Sequence, residues 1–475
     1  MTVILSKGAL VGVLFLSACA VGPDYERPPV DTPAAFKESG NWVPAQPNDA
    51  IDRGTWWSIY NDPILDGLEK QIDVSNQNLK MAEAAYRVAN AATEQTRATL
   101  FPSLALSPSV SRTVAGRTAV MPAGGTTGPD YSLAANASWA PDVWGRIRRS
   151  VESDEAKTEA SAADLVSARL SAQTMLATAY FDLRAQDELT RLLNATAKAD
   201  EKILKLVQSQ YIAGAASQAD VFAAQTQLEN AKSQATNTNV KRAQLEHAIA
   251  VLVGKPPADV SIKQTLFAYH IPKVPSEVPS VLLERRPDIA SAERVIIAAN
   301  AQIGVAQAAW YPNLTLSASY GFSGAALSKL FQASNSLWMV GASVAETIFD
   351  AGAREAGVEQ AKAGYDQAIA GYRQTVLSVF QQVEDQLAAQ RILGEQTKTQ
   401  EAAVAAARNA EKLALNQYTN GLAPYDTVLI AQTAALMNEQ NALALTSARL
   451  DASVALIGAL GGGWDARQIK QINKD

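Results

Sequence analysis

Two hydrophobic periods alternate along this chain, and each occurs twice. Residues 101–113 set Leu104, Leu106 and Val110 against Ser103, Ser107, Ser109 and Ser111, and residues 131–143 set Leu133, Ala135, Ala137 and Trp139 against Ser132, Ala134, Asn136 and Ser138. A period of two predicts strands with one apolar and one small polar face. The alternation returns at about 311–322, with Leu314, Leu316, Ala318 and Tyr320, and at about 336–348, with Trp338, Val340 and Val344. Turn-rich loops, Gly116 to Pro129 and Gly321 to Ser336, separate the strands of each pair. A dozen residues at roughly 3.3 Å each, tilted near 40°, stand about 30 Å tall, the height of the apolar band of a membrane barrel. Two hairpins of a soluble sheet would show the same local alternation.

Long helices flank the strand pairs. No proline falls between Pro141 and Pro256 or between Pro312 and Pro424, and the intervening sequence is rich in Ala, Gln, Leu, Glu and Lys. Residues 145–212 predict one helix of roughly 100 Å, and residues 351–419 another of similar length. Each stops at a glycine, Gly214 or Gly421, and a second helix returns over 218–252 and 425–460. Small side chains such as Ala156, Ala160, Ala163 and Ala168, or Ala402, Ala403, Ala405, Ala406 and Ala407, allow close helix packing with modest apolar burial.

The two halves are copies. Residues 79–102 align without a gap with 289–312, matching Ala82, Glu83, Ala89, Asn90, Ala91, Ala98 and Pro102 to identical residues; further on, Ala137-Ser138 matches Ala342-Ser343, and Arg149 matches Arg354. Tyr211, Gly214, Val221 and Ala224-Gln225-Thr226 match Tyr418, Gly421, Val428 and Ala431-Gln432-Thr433. The organisation expected is a first repeat over 64–253, a linker over 254–280, a second repeat over 281–460 and a tail over 461–475. Each repeat begins with an ascending helix. Segments rich in Pro and Gly at 22–63, 254–280 and 461–464 are expected to gather as a small mixed collar.

Residues 1–18 carry one charge, Lys7, and an apolar run from Gly8 to Leu16, which marks a secretory signal too short to span a membrane. It ends in Leu16-Ser17-Ala18-Cys19, and Cys19 is the sole cysteine, so no disulfide forms within the chain. The run resembles the bacterial lipobox, which implies a diacylglycerol and an N-acyl chain on Cys19 and a lipid-anchored segment over 19–63; Ala20 in place of aspartate implies transit to the outer membrane. Several acyl chains suffice for a stable anchor. Without its signal the chain has 457 residues, 40 basic and 47 acidic, with no basic block suited to nucleic acid. No later stretch of eighteen or more residues is apolar throughout, so a membrane crossing falls to the strands.

Catalytic and metal chemistry find no footing. His247 and His270 are the only histidines, Gly461-Gly462-Gly463 follows the last helix rather than joining strand to helix, and Asp182 with Asp187 or Glu384 with Asp385 read as solvated helix faces. An enzyme is not expected, nor any cofactor besides the covalent lipid.

Four strands cannot close a barrel in lipid, because open edges leave backbone groups unpaired. Two, three or four copies would give eight, twelve or sixteen strands. Phe101, Trp139, Trp144, Trp310, Tyr311 and Phe349 fall at strand ends, where an interfacial girdle would lie, though core aromatics at helix-to-strand junctions fit the same places. Arg146, Arg148 and Arg149 follow, suited to lipid headgroups or to a solvated helix start.

The duplicated strand pairs inside long helices, the lipobox, Trp56-Trp57, the stretch Leu283-Glu284-Arg285-Arg286-Pro287-Asp288-Ile289 and the glycine turns together resemble the TolC outer-membrane efflux family, in its NodT-like lipoprotein branch, over nearly the whole chain. The resemblance implies an α+β membrane protein: a homotrimer with a twelve-stranded transmembrane β-barrel and a long antiparallel α-helical periplasmic barrel. It also implies partnership with a membrane-fusion adaptor and an inner-membrane pump, as the passive outer-membrane duct of a tripartite efflux system. A lipid-anchored periplasmic helical scaffold is the alternative.

The resemblance further places a periplasmic gate at the turns of Gly214 and Gly421. The family's first-repeat aspartate falls on Asp220 and its second-repeat tyrosine on Tyr418, whereas its arginine falls on Ala423 and its second-repeat aspartates on Thr427 and Ile430, leaving Asp426 one place out of register. Closure is therefore expected from packing of Leu422, Val428 and Leu429, with Asp220 as a negative ring or, alternatively, as a helix cap. Replacing Cys19 by Ser should abolish labelling by radioactive palmitate; persistent label would refute the anchor.

Overall fold

The computed structural model describes residues 20–33, 35–39, 53–113, 128–265, 271–272 and 286–462. Cys19 with its signal, His270, Leu283 to Arg285 and the tail beyond 462 lie outside the described residues, as does most of the first strand loop. Two compact units form: a sheet unit from Met1–Pro29, Ala85–Ser161 and Ser291–Arg373, and a helical unit from Val30–Ala84, Ala162–Ala290 and Gln374–Asp475.

In chain order the elements are α1 (Pro63–Ser75), α2 (Gln77–Ala98), β1 (Ser103–Thr113), β2 (Gly128–Trp139), α3 (Arg146–Ile212), α4 (Gln218–Leu252), α5 (Pro287–Ala308), β3 (Asn313–Gly324), β4 (Ser336–Ala345), α6 (Ala353–Thr419) and α7 (Tyr425–Ala459). Short 3-10 turns include Arg53–Tyr60. α3 and α6 have the same length, 67 residues, as do α4 and α7, 35 residues, so the duplication read from residue matches is kept in the backbone.

The strands form one antiparallel sheet in the order β1-β2-β3-β4. Their ends differ from the alternation for local reasons. Phe101 and Tyr311 are not in strands: their N–H groups bond back to Ala98 and Ala308, and Pro102 and Pro312, which have no N–H, separate them from the ladder. β2 starts at Gly128, three residues early, and stops at Trp139, two residues short of Pro141. β3 runs on to Gly324, inside the segment expected to be loop, and β4 ends at Ala345 rather than near 348.

The first ascending helix is two helices. Asn76 ends α1 and starts α2: its N–H bonds to the Ile72 carbonyl, its Oδ1 accepts from Leu79 N at 2.9 Å, and its Nδ2 donates to the Leu252 carbonyl at 2.7 Å. α1 itself is capped by Asp62, whose Oδ1 accepts from Ile64 N and Leu65 N while Oδ2 accepts from Tyr180 OH at 2.6 Å. α6 starts at Ala353 rather than 351, because Ala351 and Gly352 have positive φ.

Collar segments of the helical unit pack on its helices without strands among the described residues. Trp56 Nε1 donates to Gln173 at 3.3 Å, and Tyr60 OH shares a 2.8 Å bond with Ser453 Oγ and lies 4.8 Å from the Phe181 ring. Residues 22–29, expected in the collar, belong instead to the sheet unit. Of the carboxylates expected on solvated faces, Asp385 is exposed, but the other three are engaged. Asp187 is buried between Arg184 at 3.0 Å and Arg242 at 2.7 Å, Asp182 accepts from Ser447, and Glu384 accepts from the N–H groups of Lys37 and Glu38.

Of the alanine stripes, Ala156, Ala160 and Ala163 are buried, whereas Ala402, Ala405 and Ala406 are exposed on the isolated chain. Leu176 on α3 is wholly buried. Leu176→Pro removes a helix bond and a packed side chain, so it should cost about 3 kcal/mol or more and lower the thermal midpoint of the purified protein. An unchanged midpoint would contradict an unbroken α3.

Candidate functional site

The register sorts every strand side chain onto one of two faces. Leu104 pairs with Ala137 and Leu106 with Ala135; Leu133 pairs with Phe322 and Ala137 with Ala318; Tyr320 pairs with Trp338 and Leu314 with Val344. One continuous face therefore carries Leu104, Leu106, Val110, Leu133, Trp139, Leu316, Tyr320, Phe322, Trp338, Val340 and Val344, and many of these are widely exposed: Leu104 at 76%, Trp338 and Val340 at 74%. In water such a face would be left uncovered at large cost.

The opposite face is polar and bonds across strands. Ser109 and Ser132 share a 2.7 Å hydroxyl bond, Asn136 Nδ2 donates to Ser107 at 3.2 Å, and Ser323 donates to Asp130 at 2.8 Å. Leu337 and Met339 on β4 are exceptions on this face, where their counterparts in the first repeat are Ser132 and Ala134. β1 and β4 form the two outer edges of the sheet.

The six strand-end aromatics cluster at the end of the sheet nearest α2, α3, α5 and α6. Trp144 stacks on Tyr311 at 4.8 Å and donates to the Pro312 carbonyl at 2.8 Å, and Trp139 donates to the Leu100 carbonyl at 2.8 Å. Trp310 lies under the Arg354 guanidinium at 4.7 Å. Phe101 and Phe349 are exposed.

Beside these aromatics the chain that follows Cys19 is clamped, a feature missed at the level of sequence. Arg149 donates to the carbonyls of Val21 and Gly22 at 3.2 Å each and to Asp24 at 2.9 Å, with Glu152 at 2.8 Å completing its shell. Val21 N donates to the Trp144 carbonyl, and Asn300 to the Pro23 carbonyl. Gly304 admits this close approach: a Cβ there would meet the Val21 carbonyl at 2.7 Å. Tyr25 and Arg27 both engage Glu293, and burial first, then Glu293, pushes the Tyr25 phenol up. Arg149 is thus nearly enclosed and committed to the chain, not to headgroups; Arg148 pairs with Asp142, and Arg146 remains exposed. The one signal for this role was the match of Arg149 to Arg354, an arginine that in the second repeat lies on Trp310 instead.

In the helical unit both long helices end in the same turn. Gly214 and Gly421 have φ of 76° and 71°; Ala215 N bonds to the Gln210 carbonyl and Leu422 N to the Gln417 carbonyl, each at 2.8 Å. Behind the turns, Ile203 and Val207 of α3, Ala224 of α4, Ala414 and Tyr418 of α6, and Tyr425 and Val428 of α7 form one cluster. Val428 has no exposed surface within the chain, so it is unavailable for contact with another copy, contrary to the expected gate packing. Leu429 packs partly against the cluster, whereas Leu422 is 80% exposed and Asp426 is exposed. Asp220 accepts from Ser217 N at 2.8 Å and Ser217 Oγ at 2.9 Å while Ser217 Oγ accepts from Asp220 N, a reciprocal capping box on α4. Burial, then Asp220, raises the Tyr418 phenol.

No group of side chains suited to a metal occurs among the described residues. Among the described residues one helix, Tyr425–Ala459, is long and apolar enough to cross a membrane by composition, but half of its apolar window is buried inside the protein.

Comparison with known proteins places this geometry. The family model described as outer membrane efflux protein matches residues 68–255 and 278–462, one segment per repeat. The probable efflux pump outer membrane protein TtgC of Pseudomonas putida is 30% identical over 458 residues, covering 96% of this chain and 94% of the relative. The cation efflux system protein CusC of Escherichia coli is 28% identical over 95% of this chain and 97% of its own. The solved outer-membrane channel OprN superposes with a TM-score of 0.87 at 28% identity, over 94% of this chain and 100% of that one. Two matched repeats, a two-faced sheet and relatives aligned nearly end to end make this chain a member of the outer membrane efflux protein family, a channel component and not an enzyme.

Proposed function

We propose that the chain works as a trimeric passive duct whose sheet lies with its apolar face in lipid and its polar face around an aqueous lumen. The observation that carries the reading is the pairing register, which keeps the two faces distinct across all four strands apart from Leu337 and Met339 on the polar face and Arg112 and Ser336, near strand ends, on the apolar one. The sheet edges give the reason for assembly. β1 and β4 run antiparallel to each other, so β4 of one copy can continue the ladder onto β1 of the next without changing which face is apolar. Three copies give the twelve strands that the family resemblance implies.

Cys19 carries the acyl anchor in this reading. A Cβ on Gly145 would meet the Ala20 Cα at 2.7 Å, so the residue following Cys19 sits against the start of α3 beside Trp144, at the level where an interfacial aromatic belongs. The duct is completed from below by a periplasmic adaptor and an inner-membrane pump, in keeping with relatives named as efflux pump outer membrane proteins. The inner mouth lies at the Gly214 and Gly421 turns, with Leu422 and Leu429 offering apolar surface and Asp220 and Asp426 negative charge.

Planar-bilayer conductance of the purified assembly tests the duct, and a scaffold would pass no current. Leu106→Arg, on the face assigned to lipid, should cost about 2–4 kcal/mol near the membrane midplane and deplete assembled protein in the outer membrane. Ser107→Arg, one residue away on the lumenal face, should assemble and change only conductance. Equal tolerance of both would overturn the face assignment.

Asp220→Asn separates ring from cap. A pore ring predicts weaker cation preference, whereas the capping box predicts a loss on the order of 1 kcal/mol in stability. Lower stability with unchanged selectivity would remove Asp220 from the pore.

A further inference from the structure

Near the Gly214 and Gly421 turns, a carboxyl is buried without the donors that an ionised acid requires. Asp200 on α3 is 3% exposed and Gln432 on α7 is 6% exposed. Gln432 Nε2 donates to Asp200 Oδ1 at 3.4 Å, the long end of a hydrogen bond. Asp200 Oδ2 and Gln432 Oε1 are both buried with no partner. Both atoms are acceptors while the acid is ionised. A proton on Asp200 Oδ2 turns one of them into a donor, with Gln432 Oε1 as its acceptor, and makes a two-bond acid–amide pair.

We infer that Asp200 and Gln432 form a proton-operated latch that ties the long helix of the first repeat to the returning helix of the second. Protonated, the pair is satisfied and the helices are held together beside the turns. Ionised, it buries a negative charge against an unpartnered carbonyl oxygen, and the helices loosen. Its role in opening the inner mouth rests on the duct reading above; the latch itself does not.

The surroundings favour the proton. From α6, Glu411 adds negative charge and competes for the same Gln432 amide, while Arg408 is engaged with Glu439 of α7. From α7, Tyr425 faces the site. From α4 come Leu228 and Ala231, and the neighbouring Lys232 pairs with Glu229 at the surface. Burial, then Glu411, pushes the Asp200 carboxyl up to about 6, with the Gln432 bond offsetting part of the rise. Because the folded value lies above the ordinary 3.8, the fold favours the neutral acid. Packing is therefore tightest below the ordinary value, loosens as pH rises from there through the folded one, and changes little beyond it. The duplication supplies a built-in contrast, since Gln225, the counterpart of Gln432, is exposed.

Asp200→Asn is the informative variant, because its amide keeps the shape and supplies a permanent N–H toward Gln432 Oε1. Hydrogen exchange of segments 196–207 and 428–436 would be followed in the intact assembly from about pH 4 to about pH 8, each corrected with the unfolded peptide, alongside opening frequency in planar bilayers. Wild type should lose protection as pH rises to about 6, level off above it and open more often there than at the low end, while Asp200→Asn should hold the low-pH behaviour throughout. Flat protection in wild type, or a pH-dependent loss that persists in Asp200→Asn, overturns the latch. Protection that shifts with pH through Asp200 while conductance stays flat keeps the latch and overturns its gating role. If Asp200→Asn does not assemble, infrared spectra of Asp451→Asn protein carrying 13C-labelled aspartate decide, since burial also pushes Asp451 up, to about 7: an isotope-shifted acid C=O band at about pH 5 that vanishes by about pH 8 supports the latch, and its absence refutes it.

Discussion

A β-strand in hydrocarbon must bond every backbone N–H and C=O to another strand, and this requirement governs the molecule. Four strands leave two open edges, and the sheet meets lipid with an apolar face that is continuous from β1 to β4. Both features are reconciled in the shared, closed barrel proposed above. The register then matters more than any single side chain, because a slip of one residue would turn the serines outward and the leucines and Trp338 inward.

Duplication builds such a sheet from two equivalent hairpins, yet the copies have diverged where the chain must be asymmetric. Arg149 holds the backbone after Ala20, while its counterpart Arg354 lies over Trp310 and pairs with Asp350. Gly145 takes positive φ and leaves room for Ala20, and in the second repeat its place is held by Asp350, which instead caps α6 through Gly352 N and Arg354 N. One repeat thus provides a cradle for the N-terminal segment and the other spends the same positions on its own helix start.

The helical unit carries charged and polar contacts in its interior. Arg184, Asp187 and Arg242 form a buried ion cluster, and Arg286 caps α7 by donating to the Ala459 carbonyl at 2.8 Å while pairing with Asp288. Buried ion pairs of this kind add little net stability but penalise misregistered packing, because any displaced partner leaves a desolvated charge. Helices lined with alanine have few large side chains to specify their register, so polar contacts at defined heights serve that purpose here. Ala402, Ala405 and Ala406 of α6 stay exposed within the chain.

The chain's own residue pattern determined the duplication, the two-faced strands and the unbroken helices, because periods of two and 3.6 and the placement of Pro and Gly are local properties. Leu104 and Leu106 against Ser107 and Ser109 already separated an apolar face from a polar one, and Gly214 and Gly421 already marked the turns. Contacts between residues far apart in sequence were decided only by the tertiary structure. Nothing near Arg149 announces that it grips Val21 and Gly22, nothing near Asp182 and Asp187 distinguishes a solvated face from a buried cluster, and Val428 looked as suited to a gate as to the core that encloses it. Asp200 and Gln432 stand 232 positions apart, and only packing of α3 on α7 brings the acid to the amide and strips both of water. Local sequence dictates what each segment can form; burial and partner depend on which segments meet, and that is settled by the fold as a whole.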